Sequence, residues 1–125
     1  MTEKICIEIS IGELIDKLTM TEVKRVLTSN IDEVSIIKKD LSILSMFAIS
    51  YLNIPEIEKL HDKIMIVNKD LWNIEDFLRK SEDVKIFDHE FIMTCRRICV
   101  LNDLKADMRN EINVTISKVL KESQN

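Results

Sequence analysis

Carboxylate, amide and guanidinium side chains occupy positions in the middle of helical repeats where apolar residues are expected. Continuing the face of Ile11, Leu14, Ile15 and Leu18 at about 100° per residue brings Glu22 and Arg25 into the same stripe. Further along, Asn68, Trp72, Glu75, Asp76 and Arg79 make one polar strip, and the face of Phe91, Cys95 and Ile98 continues as Asn102, Lys105, Arg109 and Asn113. Cofactor and metal sites in helical bundles are built from facing side chains, so convergence of these groups would make a site. Glu13 and Asp16 stand three apart and Asp103 and Asp107 four apart, so each pair shares a helix face and offers hard oxygen ligands to Mg²⁺. The same spacings also serve helix caps and surface ion pairs.

Other chemistries are weaker. His89, Cys95 and Cys99 invite a zinc reading, yet a closed zinc site needs four ligands and only Cys6 and His61 remain to complete it. The three Cys therefore read as reduced, buried small hydrophobes, and an odd number makes no disulfide framework. His61 falls on the flank of its helix and is expected to face solvent, and no Ser-His-Asp set supplies a nucleophile with a base.

The elements that must hold these groups are helices. Ser10 and Glu13 form a capping box that opens a helix over about 11–27, with a second stripe through Met20, Val23 and Leu27. A helix over about 32–52 starts from Asn30 or Asp32, and its second half is apolar nearly all round, which places it in the bundle centre or in a subunit interface. Pro55 suits the first turn of a helix over about 55–80, where Ile57, Leu60, Ile64, Val67, Leu71, Ile74 and Leu78 form a seam of alternating three and four spacings. The fourth, over about 89–120, carries a rotated stripe of Leu101, Leu104, Met108 and Ile112. Before them, residues 4–10 alternate Ile5, Ile7 and Ile9 with Cys6 and Glu8, as in a short strand or arm, which would lie over the helices or pair with its own copy in a two-fold dimer. The fold predicted is all-α: one domain over 1–125, a four-helix antiparallel bundle with a short extended N-terminal arm or strand.

Composition agrees. One Gly and one Pro in 125 residues leave little punctuation for hairpins or Gly-rich phosphate loops. A net charge of −4 removes the electrostatic reason for expecting nucleic acid as a partner. The uncharged run from Leu41 to Pro55 is shorter than the roughly 20 residues needed to span a bilayer, and no signal-peptide pattern opens the chain, so no membrane partner and a cytoplasmic location are expected.

The stretch Gly12-Glu-Leu-Ile-Asp-Lys-Leu-Thr19 with Glu22 and Lys24, then Leu71-Trp-Asn-Ile-Glu-Asp76 with Arg79, then Asn102-Asp103 with Ala106 and Glu111-Ile-Asn113, resembles a small bacterial and phage family catalogued as a domain of unknown function. Ile11 stands where that family commonly has Pro, and Lys105 where it commonly has Arg. The resemblance brings no activity. It implies that Glu13, Asp16, Lys17, Glu22, Lys24, Trp72, Glu75, Asp76, Arg79, Asn102 and Asp103 recur as a set, serving either a ligand or the structure.

The leading expectation is an association module without a cofactor. In it Glu22, Arg25, Asn68, Glu75, Asn102 and Arg109 make a buried network that fixes helix register, and apolar faces of the arm and second helix make a homo-oligomer, expected to be a dimer. The alternative resembles the all-helical nucleotide pyrophosphohydrolases, with Glu13, Asp16, Glu75 and Asp76 holding Mg²⁺ and Lys17, Lys24 or Arg79 holding phosphate, although only Glu13-x-x-Asp16 and Glu75-Asp76 approximate that group's Glu-rich motifs. A more distant option is a mutase-like site in which Arg25, Arg79 and Arg109 clamp a dicarboxylate, and a small anionic ligand would suit either arrangement.

Overall fold

The computed structural model describes residues 3–124, which form four α-helices: α1 (Ile11–Leu27), α2 (Ile31–Leu52), α3 (Pro55–Val84) and α4 (His89–Gln124). Each start has a local cause. The Ser10 hydroxyl accepts the Glu13 amide at 3.1 Å, Asn30 Oδ1 accepts that of Asp32 at 3.1 Å, and Asp88 Oδ1 accepts that of Phe91 at 3.1 Å. Glu13 does not complete the reciprocal half of the capping box, since its carboxylate takes the Ser10 hydroxyl at 3.2 Å rather than an amide. Pro55 opens α3 at its first turn without a side-chain cap. That helix runs four residues past the predicted end, until Lys85 turns left-handed with φ 57° and the Ile86 amide closes back on Ser81 O at 3.1 Å.

α1 is the hub, packing on all three other helices, whereas α2 does not approach α4. A three-residue turn folds α2 back along α1, and a four-residue turn folds α4 back along α3. α1 also runs antiparallel to α4, with Gly12 against Arg109 and Asn113 and Asp16 against Lys105 and Arg109. Because α3 and α4 oppose one another, α1 cannot oppose both along its length, so it crosses α3 obliquely. Asp16 and Thr19 meet Asn68, while Glu22 meets His61.

The core gathers Leu14, Ile15 and Leu18 of α1, Ala48 of α2, the seam from Ile57 to Ile74 of α3, and Leu101, Met108 and Ile112 of α4. Ile15, Ile57, Ile64 and Ile112 are fully enclosed, each burial being worth about 1.5–3 kcal/mol. The stripe on α1 drifts, so Val23 takes the buried place that strict periodicity gives to Glu22. In α4 the buried stripe is Leu101, Lys105, Met108 and Ile112, and Leu104 is turned out.

Three expectations are corrected. The second half of α2 is not central: it lies at the edge of the bundle with Ile43, Met46, Phe47 and Ile49 exposed. Residues 3–10 form no strand and do not lie over the helices, since Ile5, Ile7 and Ile9 are exposed. Cys6 and Cys99 are exposed and Cys95 is half-buried, so the thiols are not core residues. Among the described residues no helix is long and apolar enough to cross a membrane.

Candidate functional site

Where α1 crosses α3 and α4, its third stripe of Gly12, Asp16, Thr19 and Val23 turns inward, and all four are buried. Two of these residues are polar, so their neighbours must complete them. Asp16 Oδ1 accepts from Asn68 Nδ2 at 2.9 Å and faces Lys105 Nζ at 3.1 Å, while Asp16 Oδ2 accepts from Arg109 Nη1 at 2.7 Å. Thr19 donates its only hydroxyl hydrogen to Asp16 O at 2.7 Å, so the 2.7 Å contact with Asn68 must have the amide as donor. Both Nδ2 hydrogens of Asn68 are then committed, which orients the amide. Burial works against the Asp16 charge, but Asn68, Arg109 and Lys105 together outweigh it and hold the carboxyl below its ordinary range.

Lys105 can sit here because its aliphatic stem lies in the apolar stripe of α4 while its ammonium reaches Asp16. Gly12 makes the crossing close enough: its amide donates to Asn113 Oδ1 at 2.8 Å, and its missing Cβ would collide with the Arg109 carbonyl.

Above this network lies a cleft of about 270 Å³ whose apolar lining is Met20, Val23, Leu71 and Ile98. Trp72, Lys24, Glu75 and Asn102 form its walls, and Asn68 and Lys105 reach it from below.

The predicted polar set therefore divides. Asp16 is in the core network, and Lys24, Trp72, Glu75 and Asn102 surround the cleft. Glu75 and Asn102 are exposed, which corrects their placement in a buried network; that role belongs instead to Asp16, Thr19 and Lys105, with the predicted Asn68 and Arg109. Glu22 departs to the other side of α1, where it meets His61 Nε2 at 2.8 Å while Asp62 takes Nδ1 at 3.0 Å. His61 is thus a half-buried ion-pair partner rather than a solvent-facing flank residue. The hydrogen bond to Glu22 raises its basicity most, burial opposes this, and Asp62 adds to the rise.

The remaining residues of the set stay outside the cleft. Glu13 takes the Ser10 hydroxyl at the start of α1, Lys17 is exposed on the α2 side of α1, Asp76 pairs with Lys80 at 2.9 Å, and Arg79 and Asp103 are exposed. Glu13, Asp16, Glu75 and Asp76 do not converge on a common point, and the described residues hold no group of three or more His, Cys, Asp or Glu placed to bind a metal. Asp16, the buried member, already has both oxygens engaged by cations.

Thr19 and His61 are the residues that sequence reasoning missed. The spacing 12, 16, 19, 23 on α1 is helical and could have shown Thr19; nothing in the sequence joins His61 to Glu22. Comparison with protein-family models, with curated proteins and with solved structures gives no match.

Proposed function

We propose that this protein is a helical association module that works as a homodimer, with the second half of α2 as the contact. The observation that carries this is the exposure of Ile43, Met46, Phe47 and Ile49 at 45%, 66%, 60% and 64% on one uncharged stretch. Contiguous apolar surface of this kind marks an interaction site. Within the stretch itself the polar side chains Ser42, Ser45, Ser50, Tyr51 and Asn53 are all uncharged, and the charged groups Lys17, Lys24 and Asp40 stand only beside its start, near Ile43. A second copy offers the same apolar side chains, and an isologous contact about a two-fold axis pairs them with themselves.

The arm extends the surface. Because α2 folds back along α1, its second half ends beside the start of α1, where residues 3–10 leave the bundle with Ile5, Ile7 and Ile9 exposed. In this reading the buried network supplies register, locking α1, α3 and α4 into one rigid support, a role for which buried polar groups are best attested. The family resemblance in the GELIDKLT, LWNIED and ND motifs adds no activity to it.

Sedimentation velocity tests the proposal. The wild-type chain is expected to be dimeric at micromolar concentration, and Phe47→Glu with Met46→Glu is expected to yield a monomer of unchanged helicity. A wild-type chain that is monomeric throughout that range overturns it.

A further inference from the structure

We infer that the cleft between α1, α3 and α4 is a binding site for a small α-hydroxy or α-amino carboxylate with an aromatic or bulky apolar side chain. The inference is independent of self-association.

Three features of the cleft select this chemistry. First, Asn68 is 95% buried by its 5% exposure and has both amide hydrogens committed to Asp16 and Thr19, while its Oδ1 takes no hydrogen bond within the described residues. No fully buried side-chain N or O among them lacks a partner, so this oxygen opens on the cleft that Asn68 lines. It can only accept, and a ligand must bring an N–H or O–H to it.

Second, the charge is unbalanced. Lys105, 7% exposed, pairs with Asp16 Oδ1 at 3.1 Å and also lines the cleft, while Arg109 takes the other Asp16 oxygen. Of the residues that line the cleft, Lys24 and Lys105 are cations and Glu75 is the one carboxylate. The excess positive charge suits one carboxylate group, with the hydroxyl or ammonium at the α position as the donor for Asn68 Oδ1, and Glu75 disfavours a phosphate dianion. Third, Val23, Leu71, Ile98 and the Trp72 ring offer apolar surface to the rest of the molecule. The volume of about 270 Å³ falls just below the roughly 300 Å³ at which drug-sized pockets begin, so the ligand is small.

Trp72 is the only tryptophan in the chain, so its fluorescence reports occupancy directly. The probes are phenylalanine, phenyllactate, hydrocinnamate, which lacks the hydrogen donor, and phenethylamine, which lacks the carboxylate. Phenylalanine or phenyllactate is expected to give a saturable change at up to millimolar concentration. Hydrocinnamate should bind about tenfold more weakly, the value of one hydrogen bond to a buried acceptor, and phenethylamine should not saturate. The exposed Lys24→Gln variant should keep the wild-type melting temperature and weaken the better ligand about fivefold. No saturable change with either phenylalanine or phenyllactate overturns the inference, as does equal binding of all four probes.

Discussion

Gly12 of α1 rests directly against the backbone carbonyl of Arg109 in α4, with no room for a Cβ between the two helices. The only glycine of the chain is thus spent on a helix crossing rather than on a turn. Alanine is normally the better helix former by about 1 kcal/mol. Here the obstacle is backbone, which cannot swing aside as a side chain would. Gly12→Ala is expected to lose about 1–3 kcal/mol through the displacement of α4, read as a drop of several degrees in melting temperature. A melting temperature at or above wild type would show that the crossing has slack.

The network beneath the cleft should behave as a unit. Asp16→Ala leaves Lys105 buried without its carboxylate, and is expected to cost about 3 kcal/mol, the lower end for a broken buried pair because Arg109 partly reaches water. Lys105→Met should cost less, since Asp16 retains Asn68 and Arg109 and the thioether fills the space of the Lys stem. Combining Asp16→Ala with Lys105→Met removes both charges, and the double variant is expected to be more stable than the sum of the single losses predicts. Strict additivity in urea unfolding would mean the two groups do not sense each other.

Much of the architecture could be read from the residues because it rests on local rules. Ser10, Asn30 and Pro55 mark helix starts by chemistry that acts within one turn, and the α3 seam from Ile57 to Leu78 repeats too regularly to be misread. The site was harder because its polar residues act across helices. Asp16 and Glu75 look alike as helical carboxylates, yet one is enclosed by two cations and an amide while the other stands exposed at the cleft wall. What encloses Asp16 is the rotation of α1, which the close approach of Gly12 to the α4 backbone helps to set, and rotation is not written in the period. The same drift hides Thr19 and moves Glu22 out to His61. For α2 the sequence shows an apolar half but not which neighbours exist to cover it, and α1 with a smaller contact from α3 leaves its outer side open.

Acid should unfasten the network through Asp16. Its carboxyl titrates below the ordinary value when folded, so its stabilising contribution is fully present above the unfolded value near pH 4 and disappears as pH falls through the lower folded value. Melting temperatures recorded downward from pH 5 are expected to fall, and the fall should be shallower in Asp16→Asn, which has no proton to take up. Parallel acid limbs in the two proteins would place the acid sensitivity elsewhere.

His61 should give a separate dependence of opposite sign. Each of its ring nitrogens faces a carboxylate, Glu22 at 2.8 Å and Asp62 at 3.0 Å, and carboxylates only accept, so the geometry is satisfied when both nitrogens carry hydrogen. The folded imidazole therefore titrates above its ordinary value near 6.5. The contribution to stability is complete below that unfolded value and is lost as pH rises through the raised folded value. Melting temperatures are expected to decline from pH 6 upward into mild alkali, and His61→Gln, which keeps hydrogen-bonding capacity without a titrating ring, should flatten that slope while leaving the acid limb set by Asp16 in place. A wild-type profile that is level across this window would show that the Glu22–His61 pair, at the oblique crossing of α1 and α3, contributes no charge to holding those helices together.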